Sequence, residues 1–286
     1  MPKRLQLKNR IEVLSEISDI INAMKNLSLM EISKVNKFLT SQDRVAVSLE
    51  EIIFDFSSSH PKLTEQFFFQ PAKAVIVIGS ERGFCGNFND LVFAKWKNHL
   101  SEINLENPLT IFLGHKLCSK LPEDFSAVRK LQGLNSIEEV QNVILKLINE
   151  LEIIYQETKG DINPSNWRII YNQETREGLT PVIFNPYENV KNANKYKFSN
   201  SPLLYLEPNK FLLELFNQYL FAILYQIFSQ SFIVENHQRL KHMEGALDWL
   251  EKKQNILTLD FNMRRQEEIT EEIEVMMLGA ENRHLS

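Results

Sequence analysis

Apolar residues recur between Lys3 and His60 at Leu7, Ile11, Leu14, Ile17, Ile21, Met24, Leu27, Ile32, Val35 and Leu39, in steps mostly of three and four. Such steps place side chains on one stripe of an α-helix. No Gly or Pro interrupts the stretch, so the pattern predicts a continuous helix to about Phe56, roughly 75 Å long at about 1.5 Å per residue. That is longer than a single domain of this size is thick. The run Ser57-Ser58-Ser59-His60-Pro61 ends it, because proline disfavours helix in the residue before it.

The period then changes. Lys73 to Gly79 is a β-branched run that reads as a buried strand, opening into Ser80-Glu81-Arg82-Gly83-Phe84-Cys85-Gly86 and a helix from Asn87 to about Leu100. Leu109 to Gly114 reads as a second strand, Ser136 to about Thr158 as a helix, Trp167 to Tyr171 as a third strand and Pro181 to Phe184 as a short fourth. Strand and helix in alternation predict an α/β layered, Rossmann-like domain. Asn185 to Pro202 reads as a loop.

From Asn209 to Leu278 the chain has one Gly and no Pro. Phe211 to Val234 is apolar on several faces and predicts a heavily packed helix. Beyond it the stripe narrows to Leu240, Met243, Leu247, Leu250, Leu257 and Phe261, with Gln254 completing a coiled-coil repeat. Two long helices at opposite chain ends, each marginal alone, most economically pair antiparallel with the middle domain as their connection. The expected fold class is therefore α/β: a long antiparallel coiled coil of N- and C-terminal helices around a central Rossmann-like domain. Its parts are 1–60, 61–208 and 209–286.

Composition sharpens this division. Of the 9 Gly and 10 Pro, all but Pro2, Gly245 and Gly279 fall between Pro61 and Pro208, so turns are confined to the middle domain. A hydrophobic content of 43% excludes wholesale disorder. Charged and amide residues break every apolar run short of a bilayer span, which predicts a soluble or peripheral protein without direct membrane insertion. No signal-peptide core follows Met1 to Arg10, and acidic residues from Glu12 onward argue against a transit peptide. Cys85 and Cys118 are expected as free thiols. Residues 209–286 carry 8 basic and 12 acidic side chains, which concentrates the net charge of −5 at the C-terminal end. No basic face marks a nucleic-acid partner.

Candidate chemistry is sparse. The turn from Gly79 to Gly86 sits where phosphate-binding loops occur, but its glycines at 79, 83 and 86 fit neither GxGxxG nor GxxxxGK. Glu81 would also set a carboxylate beside any phosphate. The turn therefore reads as structural, with Arg82 and Cys85 as contact residues. No two histidines stand at metal-ligand spacing with a third ligand near, and nothing supplies a base to either cysteine. Arg264 to Glu274 reads as a solvated helical face, but it ends in Val275-Met276-Met277-Leu278-Gly279-Ala280, an apolar tip without a core of its own. Such a tip needs a partner.

Three stretches carry a family resemblance. Ile21-Asn22-Ala23-Met24-Lys25, the turn Ser80 to Asn89, and Asn262 to Ile273 closing in Gly279-Ala280-Glu281 occur in order. Smaller echoes lie at Ile169 to Asn172, Tyr205 to Pro208 and Glu235 to Met243. At these residues the chain resembles the gamma subunit of F-type ATP synthases, the central-stalk rotor. The resemblance implies a subunit that is not itself catalytic and binds no cofactor or metal. It implies as partners three alpha and three beta subunits, the epsilon subunit and the ring of c subunits, at the cytoplasmic side of a bacterial inner membrane. By position, contacts with the alpha/beta ring would map to Met24 and Lys25, and to Arg239, Arg265, Gln266, Thr270 and Glu272. Met276 and Met277 would join them at the tip. Glu31 and Glu244 stand where the family is usually basic, Trp249 replaces a small or polar residue, and Val275 replaces an acidic one. The sequence pI near 5.8 is also low for gamma subunits, which implies altered beta partners or a weaker contact. Two other readings remain at this point: a nucleotide-binding α/β protein, and a coiled-coil adaptor derived from a gamma subunit that no longer turns.

Overall fold

The computed structural model describes residues 2–68, 73–103, 109–121, 128–159, 166–176, 178–186 and 203–284. They form two compact units, one from residues 1–28 and 240–286 and the other from residues 29–239. Two helices contribute to both, α1 (Pro2–Ser59) and α6 (Pro208–His284). Breakers inside them are few, none in α1 after Pro2 and only Gly245 and Gly279 in α6, which allows these lengths, and both ends of the middle segment are punctuated. Ser57, Ser58 and Ser59 at the end of α1 turn their hydroxyls back to the carbonyls of Ile53, Phe54 and Asp55. Pro61 then opens a second helix, α2 (Pro61–Phe68). A proline cannot continue a helix but is well suited to its first position, where no N–H donor is required. Pro208 opens α6 in the same way.

In the unit of residues 29–239 the sheet has five strands, β1 (Ala74–Ile78), β2 (Leu109–Leu113), β3 (Val128–Leu131), β4 (Trp167–Thr175) and β5 (Gly178–Phe184), in the order β3-β2-β1-β4-β5. β1 pairs parallel with β2 and β4, and β2 parallel with β3, while β4 and β5 form an antiparallel hairpin. The connecting helices are α3 (Phe88–Ile103), the short α4 (His115–Cys118) and α5 (Val140–Glu157), the last preceded by a 3-10 turn at Ile137–Glu139. Every residue of β1 is buried, because a central parallel strand is covered on both faces. Alternate side chains go to opposite cores. Ile76, Ile78, Ile111, Leu113 and Ile169 pack with α5, α1 and α6, whereas Val75, Val77, Phe112 and Ile170 pack with Val92, Trp96 and Leu117.

The sequence reading missed β3, whose Val-Arg-Lys-Leu is half charged and lies at the sheet edge, where exposure erases the apolar signal. It also cut the hairpin short. The polar stretch Asn172 to Thr175 stays in β4 because its cross-strand pairing with β5 holds it there. The loop expected over Asn185 to Pro202 lies almost wholly outside the described residues. α6 is buried on several faces from Leu212 to Phe232, as its composition predicted. Its most apolar window is long and apolar enough to cross a bilayer, contrary to the sequence reading, but 61% of that window is buried inside the protein. Here α1 and α6 run antiparallel: Asp43 accepts from Gln226 (2.9 Å) and Glu50 from the Tyr219 hydroxyl (3.2 Å).

In the unit of residues 1–28 and 240–286 the two helices are again antiparallel, tied by Arg4 with Glu268 and Lys25 with Glu244, both at 3.1 Å. Met243, Leu250 and Leu257 are buried and Leu247, Gln254 and Phe261 half-buried, so the expected α6 seam is the observed one. The α1 seam departs from expectation. Ser18, Lys25 and Ser28 lie on it beside Leu7, Ile11, Leu14 and Ile21, while Ile17 and Leu27 are 39% and 44% exposed. Strict alternation of four- and three-residue steps from Leu7 selects 18, 25 and 28 whatever side chain stands there.

Candidate functional site

Two groups of residues were expected to carry function, and they have different surroundings. In the paired-helix unit Arg265, Gln266, Thr270 and Glu272 are exposed on α6. Gln266 and Thr270 line a shallow groove with Met263, Glu267, Glu271 and Glu274. The Thr270 hydroxyl donates to the Gln266 carbonyl, 2.9 Å, so within the unit its donor is committed to its own helix. Met276 and Met277 are 68% and 64% exposed, next to exposed Ile273 and Val275. An apolar end without internal cover leaves a flexible thioether surface free for contact. Met24 is half-buried, and Lys25 is drawn into its ion pair with Glu244. Glu244 therefore has a local role: it answers a lysine on the other helix.

Arg239 has no such exposure. In the unit of residues 29–239 its guanidinium is buried and engaged through all three nitrogens, donating from Nε to the Gly83 carbonyl (3.2 Å), from Nη1 to Asn236 Oδ1 (2.9 Å) and from Nη2 to the Glu235 carboxylate. Burial pushes the Glu235 carboxyl up while Arg239 beside it pulls the other way. The sequence signal for this pair was a Glu and an Arg four apart within an apolar helix, a spacing that puts both on one face.

The Gly79–Gly86 turn lies at the C-terminal end of β1, beside the point where strand order reverses and where open α/β sheets bind ligands. Here that position is filled from within. The Ser80 N–H donates to Asn89 Oδ1 (3.0 Å), and Asn89 Nδ2 to the Ser80 hydroxyl (2.7 Å). Glu81 Oε2 accepts the backbone N–H groups of His115 (2.9 Å) and Gly133 (2.8 Å), so a carboxylate takes donors that a phosphate would use. Gly79 is required by close packing, since a Cβ there would collide with Leu117, and Gly114 by its φ of 106°. Phe228, Ser231, Phe232 and Glu235 of α6 close over Gly79, Gly133 and Leu134, leaving a void of ≈ 10 Å³, about the room of one water. A nucleotide does not fit. Arg82 is exposed and donates from Nε to Asn135 Oδ1 (3.1 Å). Cys85 is buried against Ser80, and both thiols are raised by burial, which leaves them poor nucleophiles.

Comparison with known proteins agrees with this architecture. The family model described as ATP synthase matches residues 4–282. Curated relatives include the ATP synthase gamma chains of Bdellovibrio bacteriovorus, 26% identical over 96% of this chain and 97% of its own length, and of Mycoplasma capricolum, 27% identical over 99% and 100%. Among solved structures, a chain of the Euglena gracilis mitochondrial ATP synthase complex of OSCP, F1 and c-ring shares the fold with TM-score 0.62 and 15% identity, over 99% of this chain and 95% of that one. A chain of the Tetrahymena thermophila central stalk and c-ring shares it with TM-score 0.53 and 17% identity, over 79% and 99%. The chain belongs to the ATP synthase family, among its gamma chains.

Proposed function

We propose that this chain transmits torque in a bacterial F-type ATP synthase and performs no catalysis of its own. Carrying the reading is the contrast between its two kinds of surface. The ligand end of the sheet is filled by the chain's own Glu81, Asn89 and α6 side chains, while the paired helices present Arg265, Gln266, Glu272, Met276 and Met277 outward, exposed. Residues 61–208 act as the domain that meets the epsilon subunit and the c-ring. The helices 1–60 and 209–286 form the shaft, seated among three alpha and three beta subunits on the cytoplasmic side of the inner membrane.

Arg265, Gln266, Thr270 and Glu272 are the proposed ring contacts, with Met276 and Met277 as an adaptable apolar tip and Met24 and Lys25 on α1. Arg82 is a candidate contact on the sheet domain. Because the rotor is asymmetric and the ring has three sites, turning it biases each site in turn between conformations, a coupling of mechanical states rather than chemistry. A tagged copy produced with its neighbouring genes should recover alpha and beta subunits, and the complex should hydrolyse ATP while the isolated chain neither binds nor hydrolyses it. Failure to recover those subunits rejects the rotor; heat released by the isolated chain with ATP in calorimetry supports the nucleotide-binding reading instead, and phosphate released from ATP by that chain rejects its non-catalytic character.

A further inference from the structure

Within the unit of residues 29–239 a chain of polar contacts runs from α6 to α1 across the C-terminal edge of the sheet. At one end Arg239 of α6 donates to the carbonyl of Gly83 in the turn after β1 (3.2 Å). Two residues back in that turn, Glu81 holds the N–H groups of His115 and Gly133, the residues that follow β2 and β3. Arg82 reaches the side chain of Asn135 (3.1 Å), whose N–H donates to Glu139 (3.1 Å). At the far end Glu31 of α1, only 5% exposed, accepts the Ile137 N–H through one oxygen (3.2 Å) and Lys34 through the other (3.1 Å). Lys34 also donates to Glu138 (2.9 Å), which it holds at a pKa of about 2. The loop 133–139 is thereby held by the turn after β1 on one side and by α1 on the other.

We infer that this chain of contacts is a clamp that fixes both long helices to the sheet domain, and that Glu31 and Arg239 are positioning residues for torque transfer rather than contacts with a partner subunit. The chemistry suits the task. Apolar packing resists separation but is non-directional and tolerates sliding. Hydrogen bonds to charged groups are directional and roughly twice as strong as neutral ones, so they resist rotation of a helix against its bed. The two helices enter the clamp at different points, α6 through the turn after β1 and α1 through Ile137, so a load on the sheet domain reaches both. The acidic residue at position 31 follows: a protonated lysine or arginine there would set only donors against the Ile137 N–H. The inference rests on the rotor reading, and the two fail differently under test.

The experiment uses Glu31→Ala, Glu31→Gln and the exchanged pair Lys34→Glu with Glu138→Lys in the assembled complex reconstituted into vesicles, with wild type alongside. ATP hydrolysis and ATP-driven ion uptake are measured together, and hydrogen exchange of residues 133–139 is followed in the full-length chain. Glu31→Ala should speed that exchange by about tenfold, the scale of a lost hydrogen bond to a charged group. It should also lower ions moved per ATP by about twofold or more. Glu31→Gln, which keeps an acceptor for Ile137, should restore most of both. The exchanged pair should lose coupling, because the carboxylate it sets at position 34 would face Glu31. Faster exchange with an unchanged ion-to-ATP ratio overturns the role in torque, and unchanged exchange overturns the clamp itself. A wild-type complex that hydrolyses ATP without moving ions overturns the rotor reading and the torque role together, while leaving the exchange result to decide the clamp.

Discussion

Burial decides what the reactive side chains of this protein do. Cys85 is 3% exposed and its thiol is raised by loss of hydration, so it should resist thiol-reactive dye in the native chain at pH 8. Half-buried Cys118 should react slowly, and both should react at once in denaturant. Rapid native labelling of Cys85 would contradict the packing of the turn. The Glu235 and Arg239 pair shows the same rule with charge. Glu235→Ala leaves a guanidinium buried without its anion, which should cost about 3–5 kcal/mol, whereas Glu235→Leu with Arg239→Met should recover most of that loss. Chemical denaturation reads both. At this scale the sequence was informative where residue type alone determines chemistry, as with the turn's missing P-loop lysine. It was mute on Glu31, visible only as an oddity until Ile137, more than a hundred positions away, supplied its partner.

At the scale of elements, periodicity and punctuation were enough for the long helices and the buried strands. A seam of fixed register separates neighbours in sequence sharply. Leu250 is buried at 4% while Trp249 beside it is 60% exposed. Leu250→Ala should therefore destabilise the paired-helix unit by about 2–4 kcal/mol and Trp249→Ala by no more than about 0.5 kcal/mol, as followed by helical circular dichroism in denaturant. Equal losses would mean that the seam is not where the structure puts it. On α1 the seam accepts Ser18 and Ser28 while Ile17 and Leu27 face outward. A stripe drawn from apolar residues alone could not show that, because the partner helix sets which positions are covered. The edge strand β3 escaped for a related reason: its neighbour β2 supplies the pairing that its own sequence does not advertise.

For the whole molecule, the two units make a simple expectation about truncation. Removing residues 276–286 takes nothing from the unit of residues 29–239, so the shortened chain should keep its sheet and its near-ultraviolet signal. It should be recovered with less of the alpha and beta subunits than the full chain. Precipitation of the shortened chain on its own would show that the tip stabilises more than its contacts with partners. Charge acts at this scale too: the acidic excess of residues 209–286 is carried on a helix whose Glu267, Glu271 and Glu274 share a groove with Gln266 and Thr270. On the proposed rotor reading, a beta-subunit surface meeting it would need correspondingly less acid than one facing a basic rotor.

By itself the sequence determined the helix and strand periods, the confinement of turns to the middle of the chain, and the ordered motifs of a gamma subunit, because each is a property of residues close together. Only the tertiary structure decided which side of α1 is covered, that α6 closes the crevice of the sheet, and that Arg239 and Glu31 grip opposite ends of one polar chain. Those outcomes depend on groups far apart in sequence, and no local pattern records them; where such a group is buried, as Glu31 and Arg239 are, its hydrogen bonds become obligatory.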